Sequence, residues 1–224
     1  MMETLLNNAV LVTPSTKIRF KCSGCGECCR HAKESVSVSS QDVFYLTKYL
    51  RDTGLENYCT DQFLSSYATP ALLDESGFFV YFLRVTGEED ACIFLQENRC
   101  TVEKAKPMVC KMYPFTTLPN ESGGFQYMYH LEQKHHFRGP IVETKKWAKQ
   151  NFPQESRAFL QEEYASVGII SQCLKRIPEN RKTDALLHFH RLRYSEFDLD
   201  QPFLEQFKRN QVKLQEILLR MAEE

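Results

Sequence analysis

Seven of the nine cysteines in this 224-residue chain are clustered. Four lie in Phe20-Lys21-Cys22-Ser23-Gly24-Cys25-Gly26-Glu27-Cys28-Cys29-Arg30, and three more follow at Cys92, Cys100 and Cys110. A two-residue spacer lets a tight loop aim two sulfurs at one metal, and Gly24 and Gly26 supply the positive φ angles and small bulk such a loop needs. The run also repeats the C-x2-C-x2-C opening of bacterial iron-sulfur ligation. Adjacent Cys28 and Cys29 strain a single tetrahedral ion, which leaves one of them for a second metal, a bridge between two metals, or a free thiol. One four-iron cluster (4Fe-4S) needs four thiolates. Two closed zinc sites need eight donors, which the seven cysteines and one of His31, His135 or His136 supply as an all-thiolate site and a site of three thiolates with an imidazole. The count leaves iron-sulfur and zinc both open.

Four thiolates around zinc or an oxidised four-iron core carry a net charge of about -2, which must be screened where water is excluded. Lys21, Arg30, Lys33, Arg99, Lys104, Lys106 and Lys111 all flank the clustered cysteines. Cys59 and Cys173 stand apart in helical segments, where a thiol is ordinarily a small buried hydrophobe. A nucleophilic cysteine with His31 or His136 as base would leave the spacing unexplained. His188 and His190 fall on a helix surface, and Glu88-Glu89-Asp90 reads as a solvated turn, because hard carboxylates suit calcium or magnesium better than thiolate neighbours do. The sole G-x-G, Gly24-Cys25-Gly26, lies inside the cysteine motif and offers no methyl-donor loop.

Composition bounds the partners. Twenty-eight basic against 29 acidic residues leave a net charge of -1, with none of the basic excess that nucleic acid or anionic lipid attracts. Apolar runs such as 78–83 are far too short to span a membrane, and the N-terminus lacks the basic start and apolar stretch of a secretory signal. A cytoplasmic protein is expected, without nucleic-acid or membrane partners. In that reducing compartment clustered thiols serve as metal ligands or redox groups rather than crosslinks. At 42% hydrophobic and 25% charged, the chain is globular.

The elements that must position the cysteines follow from periodicity. Residues 1–16 read as a polar leader and 17–21 as a short strand. A helix is expected at 40–51, with Ser39 or Ser40 as N-cap, Asp42 in the first turn, Val43, Leu46 and Leu50 on one face and Gly54 ending it. A second helix spans 58–67, closed before Pro70. Residues 78–85 form a strand, and 111–118 with 125–131 a hairpin in which Phe125, Tyr127 and Tyr129 line one face. Beyond Pro140 the pattern turns helical, over 141–150, 154–175, 182–193 and 201–222. The last stretch carries Phe203, Phe207, Leu214, Ile217, Leu218 and Met221 as a packing stripe.

The second cysteine block reads Ala91-Cys92-Ile93-Phe94-Leu95, then Arg99-Cys100-Thr101-Val102, then Lys106-Pro107-Met108-Val109-Cys110-Lys111-Met112-Tyr113-Pro114-Phe115. Together with the first block it resembles the YkgJ-type CxxCxxCC cysteine-cluster family of zinc- or iron-chelating domains. That family's pattern runs F-x-C-x-x-C-G-x-C-C, then C-x-F-L, then C-x-V/I-Y-x-x-R-P-x-x-C-x-x-Y/F-P. The resemblance extends from Phe20 to about Gly139 and takes in Asp42 and Leu46. It implies that Cys22, Cys25, Cys28, Cys29, Cys92, Cys100 and Cys110 occupy metal-binding positions. Two departures stand out. Lys106 replaces the usual arginine before the proline, which keeps the charge but not a bidentate guanidinium. His135-His136-Phe137-Arg138-Gly139 stands where many members carry a further cysteine, which makes His136 a candidate nitrogen ligand.

The expected architecture is α+β and mainly helical. A cysteine-cluster domain over 17–140 has short strands and loops around its metal centre, and a C-terminal helical region over 141–224 packs on it. The expected function is ligation of iron, as an iron-sulfur cluster, or of zinc. The broader resemblance to flagellin lysine N-methylase implies, as an alternative, an iron-sulfur-dependent protein lysine N-methylase-like enzyme with a protein substrate. A zinc-stabilised interaction module is a third reading, and it requires the stripe of Phe203, Phe207, Leu214 and Leu218 to be exposed for a protein partner.

Overall fold

A computed structural model describes residues 9–120, 122–130 and 134–223. In chain order the strands and helices are β1 (Ala9–Val12), β2 (Lys17–Arg19), β3 (Ser37–Val38), α1 (Ser40–Asp52), α2 (Thr60–Tyr67), β4 (Ala68–Leu72), β5 (Phe79–Leu83), β6 (Val85–Thr86), β7 (Ala91–Cys92), β8 (Leu95–Gln96) and β9 (Arg99–Cys100). They continue with α3 (Met108–Met112), β10 (Phe115–Pro119), β11 (Phe125–His130), β12 (Ile141–Glu143), α4 (Thr144–Asn151), α5 (Gln154–Arg176), α6 (Glu179–His190) and α7 (Phe203–Glu223). The fold is α+β and mainly helical, as the sequence indicates. It divides into two compact units that are discontinuous in sequence: the chain up to Ser37 with Leu83–Arg157, and Val38–Phe82 with the chain from Ala158 onward.

The first unit holds all seven clustered cysteines. Its largest sheet has the order β1-β11-β10, with β11 antiparallel to both neighbours. The hairpin forms at the expected place, but Lys111 and Met112 belong to α3 rather than to its first strand, and Leu131 lies outside the described residues. The supposed polar leader is corrected in part. Residues 9–12 form β1, whose Val10 and Leu11 stay exposed, so strand pairing rather than burial holds them and no apolar alternation reveals them. Strand β12, read from sequence as helix, pairs with β2 through Ile141↔Arg19, Val142↔Ile18 and Glu143↔Lys17. That pairing brings the two ends of the cysteine region together.

The second unit follows local rules closely. Ser39 caps α1 in a capping box: the Asp42 amide donates to Ser39 Oγ at 3.2 Å and the Ser39 amide to Asp42 Oδ2 at 3.0 Å. Phe44, Phe159, Phe203, Phe207 and Leu199 form one buried cluster, with ring centroids 4.8 Å apart for Phe159 and Phe207 and 5.3 Å for Phe44 and Phe203. The stripe of α7 is therefore core. Phe203, Phe207, Leu214 and Leu218 are all buried, which removes the exposed docking face that an interaction module required. Arg193, also buried, donates to Glu163 Oε1 at 3.0 Å and lies over the ring of Phe78. Among the described residues no helix is long and apolar enough to cross a membrane.

Candidate metal centre

Phe20 anchors the first cysteine loop. It is buried, and its ring makes edge contacts with Trp147, Tyr113, His136 and Phe137 at centroid distances of 5.4 to 6.3 Å. The next peptide is tied to the histidine segment, with the Lys21 amide donating to the His136 carbonyl at 3.0 Å and the Phe20 amide to the Pro140 carbonyl at 3.1 Å. Gly139, at φ 121°, permits this approach: a Cβ there would stand 2.8 Å from Lys21 Cβ. Two histidines more than a hundred residues downstream are thus held against the loop by backbone bonds.

They meet Cys25. Its Sγ lies 3.3 Å from His135 Nε2 and 3.2 Å from His136 Nε2, and the three donor atoms all lie within 4.8 Å of one another. Tyr113 Oη sits 3.2 Å from the other ring nitrogen of His136, Nδ1, and so fixes which nitrogen faces Cys25. Burial opposes ionisation of the Cys25 thiol, but hydrogen bonds from Ser23, His135, the Glu27 backbone and His136 outweigh it, lowering the pKa from 9.0 to about 6. His136 is buried and His135 exposed, which gives the group one dry side and one wet side.

The other thiols come from four segments. Gly26, left-handed at φ 75°, opens a 3-10 turn over Glu27–Cys29 that carries Cys28 and Cys29. A Cβ on Gly26 would meet the Asn98 carbonyl at 3.0 Å, so the loop lies directly on the tight turn between β8 and β9. Glu97 and Asn98 take φ of 47° and 63°, the left-handed pair of a two-residue hairpin turn, which sets Cys100 opposite Leu95. Cys92 pairs with Val85 across β6 and β7, and Cys110 sits within α3. The Sγ atoms of Cys28 and Cys29 are 3.9 Å apart. Their shared hydrogen bond and the attraction of Lys106 lower Cys28 to about 7 against the cost of burial. Cys29 is pushed up by the same bond, by burial and by repulsion from Cys28, Cys92 and Cys110. Burial also raises Cys92 and Cys100, and each thiol is raised a little further by Cys28. Cys28, Cys29, Cys92, Cys100 and Cys110 thus belong to the same unit, while among the described residues the donor atoms that lie within 4.8 Å of one another as a group of three are those of Cys25, His135 and His136.

This geometry revises the sequence reading at several residues. The adjacent pair is not forced apart: tetrahedral zinc with Zn–S near 2.3 Å spaces its sulfurs by about 3.8 Å, close to the separation of Cys28 and Cys29. Cys22 is exposed and stands outside the Cys25 group, while the Lys106 ammonium is held charged against burial by Glu103, Cys100 and Cys22. Arg30, expected as counter-charge, instead pairs with Glu89 at 3.1 Å and Glu27 at 3.5 Å. Glu89 thus lies in an exposed turn, as the sequence indicates, and also serves as the partner of Arg30. Cys173 is buried as expected, whereas Cys59 is exposed at the N-cap of α2. His31 lies outside the Cys25 group. The sequence offers His135 only as one optional eighth donor; the signal for it is adjacency to His136 just before the Gly139-Pro140 turn that folds back on Phe20.

Comparison with known proteins agrees with the residues. No curated protein and no solved structure matches the chain. One family pattern, CxxCxxCC, described as a "putative zinc- or iron-chelating domain", matches residues 21–151, more than half of the chain and all seven clustered cysteines. With all seven clustered cysteines and both histidines inside the matched stretch, the chain belongs to the CxxCxxCC family of zinc- or iron-chelating domains.

Proposed function

We propose that the protein binds metal through Cys22, Cys25, Cys28, Cys29, Cys92, Cys100 and Cys110, and that the metal is zinc. The observation that carries this reading is the gathering of all seven clustered cysteines into one compact unit, with the Sγ atoms of Cys28 and Cys29 3.9 Å apart and Cys25 Sγ 3.2 Å from His136 Nε2. Free thiols at such range repel once ionised, and a bound cation converts that repulsion into ligation. Zinc suits thiolate and imidazole donors together, and the closest donor spacings match a tetrahedral shell. The role is structural or metal-handling, with bound metal adding to the stability of the first unit.

A second reading is a 4Fe-4S cluster, favoured by the C-x2-C-x2-C run of Cys22, Cys25 and Cys28. Metal and sulfide analysis with an absorption spectrum, on protein purified without oxygen, separates the two. A colourless protein with stoichiometric zinc supports the first reading. A brown protein with iron and sulfide supports the second and directs the search to redox or methyl-transfer chemistry.

A further inference from the structure

We infer that Cys25, His135 and His136 form a metal position of their own, separate from the thiolate set, taking a divalent cation of borderline softness such as zinc. The inference rests on the reading that this unit binds metal, and it removes Cys25 from the sulfur ligands of the other site. Three observations carry it. The sulfur-to-nitrogen distances of 3.3 and 3.2 Å are close to the edge of about 3.6 Å expected between thiolate and imidazole donors on tetrahedral zinc. The three donor atoms form a closed group among the described residues. Cys28, three residues from Cys25, lies outside that group. His136 is also oriented as metal-binding imidazoles commonly are, with its outer nitrogen on a fixed polar partner, Tyr113 Oη, and its inner nitrogen aimed at the other donors.

Donor chemistry narrows the occupant. One soft sulfur and two imidazoles, with no carboxylate in the group, select against calcium and magnesium and favour zinc, cobalt or copper. The arrangement is also costly to build by accident. The histidines come from the far end of the unit, through the β2–β12 pairing and the Lys21-to-His136 backbone bond. Exposed His135 leaves the position reachable from water, while Phe20 and Tyr113 pack edge-on against buried His136.

The test uses cobalt as the probe, incorporated during expression in cobalt-supplemented, zinc-depleted medium. Cobalt per chain and the visible spectrum are then measured on wild type, His135→Ala and Cys110→Ser. His135 is exposed, so its substitution leaves the core intact, and circular dichroism verifies folding. Wild type is expected to hold two cobalt ions with both sulfur-only and mixed sulfur-nitrogen bands. His135→Ala should lose one ion and the mixed bands alone, and Cys110→Ser should lose the sulfur-only bands while keeping the mixed ones. An unchanged cobalt content and spectrum in folded His135→Ala overturns the separate position while leaving the cysteine site standing. Wild-type protein without any cobalt overturns the metal-binding reading and this inference with it.

Discussion

The guanidinium of Arg30 donates from Nε to Glu89 Oε2 at 3.1 Å, joining the loop of Cys28 and Cys29 to the turn that leads into Cys92. The same side chain donates to the Cys25 carbonyl and to Asn98 Oδ1, and the His31 amide donates to the Glu89 carbonyl at 2.8 Å. Arg30 is thus a positioning residue that stitches the first cysteine block to the second. Arg30→Ala should leave the protein folded but weaken metal binding by roughly 10–100-fold, the usual cost of removing an outer partner of a metal site. Competition against a chelator of known affinity measures it, and wild-type affinity in the variant would refute this role.

Gly26 carries a second constraint. Its left-handed backbone costs a side chain about 1–2 kcal/mol, and the Asn98 carbonyl and Leu95 Cδ1 leave no space for a Cβ. Gly26→Ala should lower both stability and metal content, whereas Gly24→Ala, with open space around it, should cost only the backbone strain. Thermal melts of the two variants side by side give the comparison.

The depressed Cys25 thiol makes a prediction with a definite sign. A group lowered from 9.0 to about 6 in the folded state contributes stability that is fully present above pH 9.0 and is lost as pH falls through about 6. Ultraviolet thiolate absorbance of the folded, metal-free protein should show a fraction titrating near 6. That fraction should be missing in Cys25→Ser, while the component of Cys28 near 7 remains. Identical titrations in the two proteins would contradict the arrangement of donors around Cys25.

The second unit offers a test independent of metal. Glu163 faces buried Arg193 at 3.0 Å, and burial pushes the carboxyl above its usual range while the guanidinium opposes that rise. Removing one member of a buried pair strands the other, so Glu163→Ala should cost about 3–5 kcal/mol, read by urea denaturation. Phe207→Ala, in the aromatic cluster with Phe159 and Phe203, should cost a similar amount, about 3–5 kcal/mol. Both variants should retain their metal if they fold.

Much of the fold was legible because the signals were local. The Ser39–Asp42 capping box, the 3.6-residue stripe of α7 and the aromatic hairpin strands each lie within a few residues of one another, as does the cysteine spacing that marks the family. What escaped was long-range. Nothing in 38–82 announces that it groups with α6 and α7, because capping and periodicity fix an element without naming its neighbour. Strand β1 escaped for the same reason, since its identity comes from pairing with β11. Arg30 looked like counter-charge until Glu89 and Asn98 were in place, and the two histidines looked incidental until Gly139 let the chain return to Lys21.

The most direct test of the central claim compares metal content per chain in Cys22→Ser, Cys25→Ser, Cys110→Ser and Cys173→Ser with wild type, all purified without oxygen. The expected result is reduced metal and lower thermal stability in the first three and wild-type metal content in Cys173→Ser, whose thiol is buried in the other unit. Equal metal content in all four variants would contradict ligation by the cysteine cluster.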